Sequence, residues 1–236
     1  MIEINGLTKK FGKLTAVNNV SLTIDDVGCF ALLGLNGAGK STLINMLSTT
    51  LKPTNGNATI NRLNLISDRD KIRKIINISP QESAVAKNLT VRENLELIAS
   101  LYGIKNVSQK IENTINEFGL KEKENVLCKK LSGGQLRRVS IALAIISEPK
   151  ILFLDEPTLG LDVKARKMLW DIIKTLKSKM TIILTTHYLE EVESLADHIA
   201  IISRGEIKAS GTHSEILNNT NSKSLEQAFL QLSEEE

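Results

Sequence analysis

Short apolar runs alternate along this chain with longer stretches whose apolar residues recur every three or four positions, a layout that predicts a sheet with helices packed on it. The N-terminal third predicts strands at Ile2–Ile4, Ala16–Ile24 and Phe30–Leu33, then a helix from about Gly39 to Thr49. Pro53 and Gly56 end that unit, and strands follow at Asn57–Ile60 and Ile75–Ser79. From about residue 82 to 148 the strand signals thin out, while 90–98, 109–118 and 136–146 carry helical spacing. Strands return at Ile151–Leu154, Thr181–Thr185 and His198–Ser203, with a helix over Lys164–Lys177. The pattern predicts one α/β unit whose core is built from residues 1–81 and 149–236. About 82–148 reads as a helical lobe inserted into it.

Composition narrows the reading. With 236 residues and 42% hydrophobic content, the chain can bury one sizeable core and a smaller lobe, and disorder is not expected. A net charge of +3 and 3% aromatics indicate neither a phosphate-tracking surface nor a base-stacking platform, so no nucleic-acid partner is expected. Runs such as Ile151-Leu152-Phe153-Leu154 and Ile199-Ala200-Ile201-Ile202 fall far short of the roughly 20 residues needed to span a bilayer. Met1-Ile2-Glu3-Ile4-Asn5 is not a basic region followed by an apolar one. These features predict a chain that is soluble by itself and carries no secretory signal. Cys29, in a predicted buried strand, and Cys128, in a charged segment, lack metal-binding or paired spacing and read as small side chains in a reducing compartment. The acidic end Glu234-Glu235-Glu236 reads as a frayed, solvated terminus.

The candidate chemistry begins at Gly34-Leu35-Asn36-Gly37-Ala38-Gly39-Lys40-Ser41-Thr42, directly after a predicted strand and at the start of a predicted helix. Glycines there let several backbone N–H groups aim at one anion, and the helix start adds its positive dipole end. Lys40 would reach the β- and γ-phosphates of a nucleotide, and the Ser41 hydroxyl would ligate Mg²⁺. Asp155 and Glu156 stand at the carboxyl end of a buried strand, where ligands bind in open α/β sheets. Asp155 suits a hold on Mg²⁺, direct or through its neighbours, and Glu156 suits polarising an attacking water; either could instead be a structural acid. Leu131-Ser132-Gly133-Gly134-Gln135 precedes another helical run, so it is either a second anion site at a helix N-terminus or a turn that merely caps a helix.

In this order along the chain, residues 34–42, Gln81 after a strand, Leu131–Gln135, Ile151–Glu156, Gly160-Leu161-Asp162 and His187 make it resemble the nucleotide-binding subunit of an ATP-binding-cassette transporter. The resemblance covers nearly the whole chain. It implies an α/β P-loop NTPase core with an N-terminal antiparallel β-subdomain and an inserted α-helical lobe, with ATP and Mg²⁺ as cofactors. It also implies that the pentapeptide of one subunit closes over ATP held by the loop of a second copy or a homologous subunit. Gln81 would sense Mg²⁺ and the attacking water, His187 would contact the γ-phosphate and orient Glu156, and Asp162 would lie at the dimer seam. Phe11 stands where the family's adenine-stacking aromatic is commonly Tyr, and stacking needs only the ring. Leu35 and Leu159 replace a frequent Pro and Ser. The segments 187–193, 197–202 and 224–229 look like the compact subfamily that powers efflux of drugs, antimicrobial peptides, lipids or polysaccharides. A subunit of that kind would sit on the cytoplasmic face of the cell membrane and drive a separate transmembrane permease. An uptake-system subunit, or a soluble cassette ATPase acting on ribosomes or DNA, is the alternative reading.

Overall fold

In a computed structural model, which describes residues 1–25 and 28–234, the continuous apolar runs become the centre of a six-stranded sheet. Every residue of β3 (Cys29–Leu33) and β7 (Ile151–Asp155) is buried, because helices or a second sheet cover both faces. With β6 (Ile76–Ser79), β8 (Thr181–Thr186), β9 (His198–Ser203) and β10 (Glu206–Gly211), the order across the sheet is β10-β9-β3-β8-β7-β6. All neighbours are parallel except β10, which lies antiparallel at one edge.

Alternation along these strands divides the interior into two cores. Cys29, Ala31, Leu33, Leu152 and Leu154 face one cluster; Phe30, Leu32, Ile151 and Phe153 face the other. The second cluster is closed by α1 (Lys40–Leu47) and by a four-stranded antiparallel sheet, ordered β2-β1-β4-β5, made of β1 (Ile2–Phe11), β2 (Leu14–Ile24), β4 (Asn55–Ile60) and β5 (Leu63–Asn64). The short α2 (Arg69–Ile72) leads from there to β6.

The first cluster is closed by the remaining helices. Between β6 and β7 run α3 (Val91–Leu101), α4 (Val107–Glu117) and α5 (Gly133–Ile145), without a strand among the described residues. Val91, Leu95, Ile111, Ile115 and Val139 belong to the same buried cluster as the sheet, so these helices share a core with it. α6 (Val163–Leu176) and α7 (Leu189–Leu195) complete that layer, with α8 (His213–Thr220) and α9 (Leu225–Glu234) beside them. Each large aliphatic side chain buried this way contributes roughly 1.5–3 kcal/mol. Among the described residues, no helix is long and apolar enough to cross a membrane.

Several features differ from the hydrophobic pattern, among them the short β5, α2 and α7, which it does not predict. β1 continues to Phe11, beyond Ile4, because register shifts between Ile4 and Lys10 break its alternation without ending its pairing. β10 escapes the pattern because most of its residues are half-exposed, as suits an edge strand. α8 and α9 also escape it: α8 buries only Ile216, and α9 covers the core with one narrow stripe. Of the predicted frayed end, Glu234 closes α9, while Glu235 and Glu236 lie outside the described residues.

Parallel register brings the carboxyl ends of the central strands to one edge. Leu33 pairs with Thr186, Asp155 with Thr185, and Ser79 with Leu154. The residues that follow, Gly34, Glu156, His187 and Gln81, therefore leave the sheet on the same side.

Candidate functional site

The loop between β3 and α1 is held by the backbone around it. The Gly34 N–H donates to the Thr186 carbonyl at 3.2 Å, the Ala38 N–H to Leu35 at 3.1 Å, and the Gly205 N–H to the Ala38 carbonyl at 2.9 Å. Gly39 caps α1 with φ +104°, and a Cβ there would lie 2.4 Å from the Ala16 carbonyl oxygen, so only glycine fits. The Leu43 N–H donates back to the Gly39 carbonyl at 2.9 Å, and the N–H groups before it, at the start of α1, have no carbonyl four residues back within the helix, an arrangement suited to an anion. Leu35, Asn36 and Gly37 are exposed on the rim, while Ala38 is buried beneath it.

Lys40 is buried, 5% exposed, and its ammonium is fixed by three oxygens. It donates to the Gly34 carbonyl at 2.7 Å and the Leu35 carbonyl at 3.1 Å, and lies 3.0 Å from Glu156 Oε1. The other carboxylate oxygen of Glu156, Oε2, lies 2.9 Å from His187 Nδ1. Two sequence-distant residues thus converge on the two oxygens of one carboxylate. Glu156 is 6% exposed and holds φ +46°, a left-handed conformation stabilised by its N–H donating to Thr185, at 3.2 Å to the carbonyl and 3.0 Å to Oγ1. That strain aims the side chain off the end of β7 toward the loop.

Asp155 makes a separate arrangement one residue earlier. Its Oδ1 accepts from the Thr185 hydroxyl at 2.5 Å and from the Ser41 hydroxyl at 3.0 Å. A hydroxyl that lines the cavity with a carboxylate oxygen 3.0 Å behind it matches the way Mg²⁺ is held, by one or two protein oxygens together with substrate phosphates. Among the described residues no cluster of three His, Cys, Asp or Glu forms a self-sufficient metal cage.

A cavity of about 420 Å³ opens over the loop, lined among others by Phe11, Asn36, Gly37, Lys40, Thr42, Gln81 and Glu156. Phe11 is half-exposed in the cavity wall, and Gln81, just past β6, also lines it. The structure does not bring Ser132, Gly133, Gly134 or Gln135 to this cavity. Ser132 caps α5 in a reciprocal pair: its Oγ accepts from the Gln135 N–H at 3.4 Å, and Gln135 Oε1 accepts from the Ser132 N–H at 2.9 Å. Ser132 and Gly133 are exposed. Asp162 caps α6 by accepting from the Ala165 N–H at 2.8 Å.

Several residues of the site carry no signal in the motifs. Thr185 braces Asp155 and Glu156 together, and only the register of β7 against β8 would have pointed to it. Leu14 and Ala16 join Phe11 along the cavity wall. Glu191, fully buried on α7, accepts from Trp170 Nε1 at 3.3 Å, and burial holds its carboxyl above the usual range. Arg137, 4% exposed on α5, reaches back to the ends of β6 and β7.

Comparison with known proteins agrees with this geometry. A family model described as "ABC transporter" matches residues 17–159. The ABC transporter A family member 6 of Dictyostelium discoideum is 43% identical over 217 residues, covering 89% of this chain but 13% of its own length. The daunorubicin/doxorubicin resistance ATP-binding protein DrrA of Streptomyces peucetius is 39% identical over 227 residues, covering 95% of this chain and 69% of its own. A solved dimer of an ATP-binding cassette in a post-hydrolysis state, bound to ADP and Pi, overlays with a TM-score of 0.80 at 27% identity, across 90% of this chain and 98% of that one.

Proposed function

The chain belongs to the ABC transporter family, and we propose that it is the ATP-hydrolysing subunit of an exporter, pairing with a second copy around two ATP–Mg²⁺ and driving a separate transmembrane permease. The observation that carries this reading is the convergence of Lys40 and His187 on Glu156 at the mouth of the cavity. With ATP in the loop, Lys40 exchanges the Glu156 oxygen for the β- and γ-phosphates, an ion it meets at similar range with more charge. Glu156, released from that pair yet still held by His187, accepts the proton of a water aligned on the γ-phosphorus. Ser41 and Asp155 would hold Mg²⁺, which when bound would neutralise charge on the phosphate oxygens; Gln81, which lines the same cavity, would sense it. Phe11 offers its ring to the adenine.

The exposed turn at Ser132-Gly133-Gly134 supplies the rest of the reading. It presents N–H groups at the N-terminus of a 13-residue helix and does not line the cavity over the loop at Lys40, so we assign it to ATP held by the partner copy. The helical lobe, about 82–148, then carries closure outward to the permease, on the cytoplasmic face of the membrane. Export is supported by the likeness to DrrA, whose own name refers to drug resistance.

Mixed dimers test the arrangement. Lys40→Ala should abolish ATP binding in calorimetry, and Ser132→Arg should leave binding intact but block turnover, each homodimer being inactive. A mixed dimer has one composite site with both lesions and one with neither, so ATPase activity reappears on mixing. No recovery at any ratio, together with no ATP-dependent crosslink across the seam, would overturn the trans arrangement. Full ATP affinity in Lys40→Ala would overturn the nucleotide site itself.

A further inference from the structure

Arg137 is a buried cation whose partners are all backbone carbonyls. Its Nε donates to the Pro157 carbonyl at 2.9 Å and its Nη2 to the Asp155 carbonyl at 2.8 Å. Its Nη1 donates to the Pro80 carbonyl and, at 3.4 Å, to the Gln81 carbonyl. No carboxylate among the described residues lies within ion-pair distance of it. Burial lowers its pKa to about 10, so the group stays charged at neutral pH. Burial opposes the charge, and the carboxylates of Asp155 and Glu191 offset only part of that cost from beyond ion-pair distance, so an apolar side chain of similar volume would pack there at lower cost. The guanidinium earns its place only if the four bonds do something that packing cannot.

What they do is reach three segments from one side chain, two of which, β6 and α5, are also tied by the Ser79 and Ser140 hydroxyls 3.1 Å apart. Arg137 stands one turn into α5, the helix whose first turn presents Ser132 and Gly133. Pro80 and Gln81 form the exit of β6, and Asp155 and Pro157 flank Glu156 at the exit of β7. The planar fork fixes all three at once, which a point charge could not. Glu156 sits between two residues whose carbonyls are pinned, in the left-handed conformation that the chain would otherwise relax.

We infer that Arg137 is a positioning residue for hydrolysis: it ties the backbone around Glu156 to the turn at Ser132 and to Gln81, so that turnover depends on where the helical lobe stands while ATP binding does not. This rests on the proposed ATPase reading. It predicts a split between kcat and KM, because the bonds run from the helix that carries Ser132 to the backbone on either side of Glu156 and at Gln81, and none ends on the loop at Lys40.

The test compares the full-length chain with Arg137→Met and Arg137→Lys, by steady-state ATPase and by ATP calorimetry, well below each variant's unfolding midpoint. Arg137→Met should lower kcat by about tenfold or more, with KM and Kd for ATP within about twofold of the unsubstituted chain. Arg137→Lys, which keeps charge and stem but cannot span the carbonyls, should recover part of kcat. A kcat within twofold in folded Arg137→Met overturns the inference, as does a loss of ATP affinity matching the loss of kcat. If the Met variant does not fold, the Lys variant decides by the same split; if neither folds, the role is scaffolding and the inference falls. An unsubstituted chain that binds no ATP would instead sink the ATPase reading and leave the position of Arg137 unexplained.

Discussion

Two glycine-rich turns open helices in this protein, and only one of them is complete within its own chain. The loop before α1 is anchored from outside by Thr186 and Gly205 and closed on itself at Leu35, and its lysine meets a carboxylate at 3.0 Å. The turn before α5 caps itself through Ser132 and Gln135 and otherwise faces outward. Both present the N–H groups of a helix start, so both can take an anion. One has Lys40, Glu156 and His187 in contact beside it; the other stands apart from them. A turn with donors but no local chemistry makes sense as half of a site whose other half lies on a second subunit.

The largest expected effect falls on the complete half. Glu156→Gln keeps the shape of the side chain and its contact with His187 but removes the base. Turnover should drop by roughly 10²–10⁴, while ATP affinity persists and an ATP-bound dimer accumulates. Phosphate release and size-exclusion chromatography with ATP check the two halves of this statement. A near-normal rate would move water activation away from Glu156 and leave the two turns equivalent.

A smaller effect separates the turns by their glycines. A Cβ at Gly39 meets the Ala16 carbonyl at 2.4 Å on a backbone with φ +104°, whereas a Cβ at Gly133 has nothing within 4 Å. Gly39→Ala should therefore cost about 1–3 kcal/mol of stability, read from the urea midpoint, and weaken ATP binding. Gly133→Ala should stay within about 0.5 kcal/mol, since Ala is tolerated at a helix start. Its defect should appear only when the dimer closes. Equal destabilisation by the two substitutions would break the comparison.

How much of this was readable in the residues follows from where each signal resides. β3, β7 and β8 are legible because both their faces are buried, which leaves apolar runs with little polar interruption. β10 is not, since a half-exposed edge strand needs no apolar pattern. The loop at Lys40 and the pair Asp155-Glu156 are legible because their chemistry is local and each residue type is itself the function. Thr185 becomes visible only through its pairing opposite Asp155. Arg137 leaves no trace, because its partners are carbonyls that any residue could supply. The turn at Ser132 is legible as a pattern, yet its exposed face lines no part of the cavity over the loop at Lys40, so its own chain gives no reading of what that face meets.

The smallest expected effect tests whether Ser132 does more than cap. Thr90 provides an internal reference, because it begins α3 with the same reciprocal arrangement: its Oγ1 accepts from the Glu93 N–H at 3.2 Å, and Glu93 Oε2 accepts from the Thr90 N–H at 2.7 Å. The box at Ser132 is looser, at 3.4 and 2.9 Å. Thr90→Ala should thus cost about 1 kcal/mol, and Ser132→Ala no more than that. If Ser132 only caps its helix, ATPase activity should follow the same order, with Thr90→Ala the more damaging. If its hydroxyl faces the γ-phosphate of the partner's ATP, the order reverses, and Ser132→Ala loses more turnover while keeping more stability. Measuring both quantities on both variants separates a helix cap from a ligand contact, and an unreversed order would return the turn before α5 to a structural role.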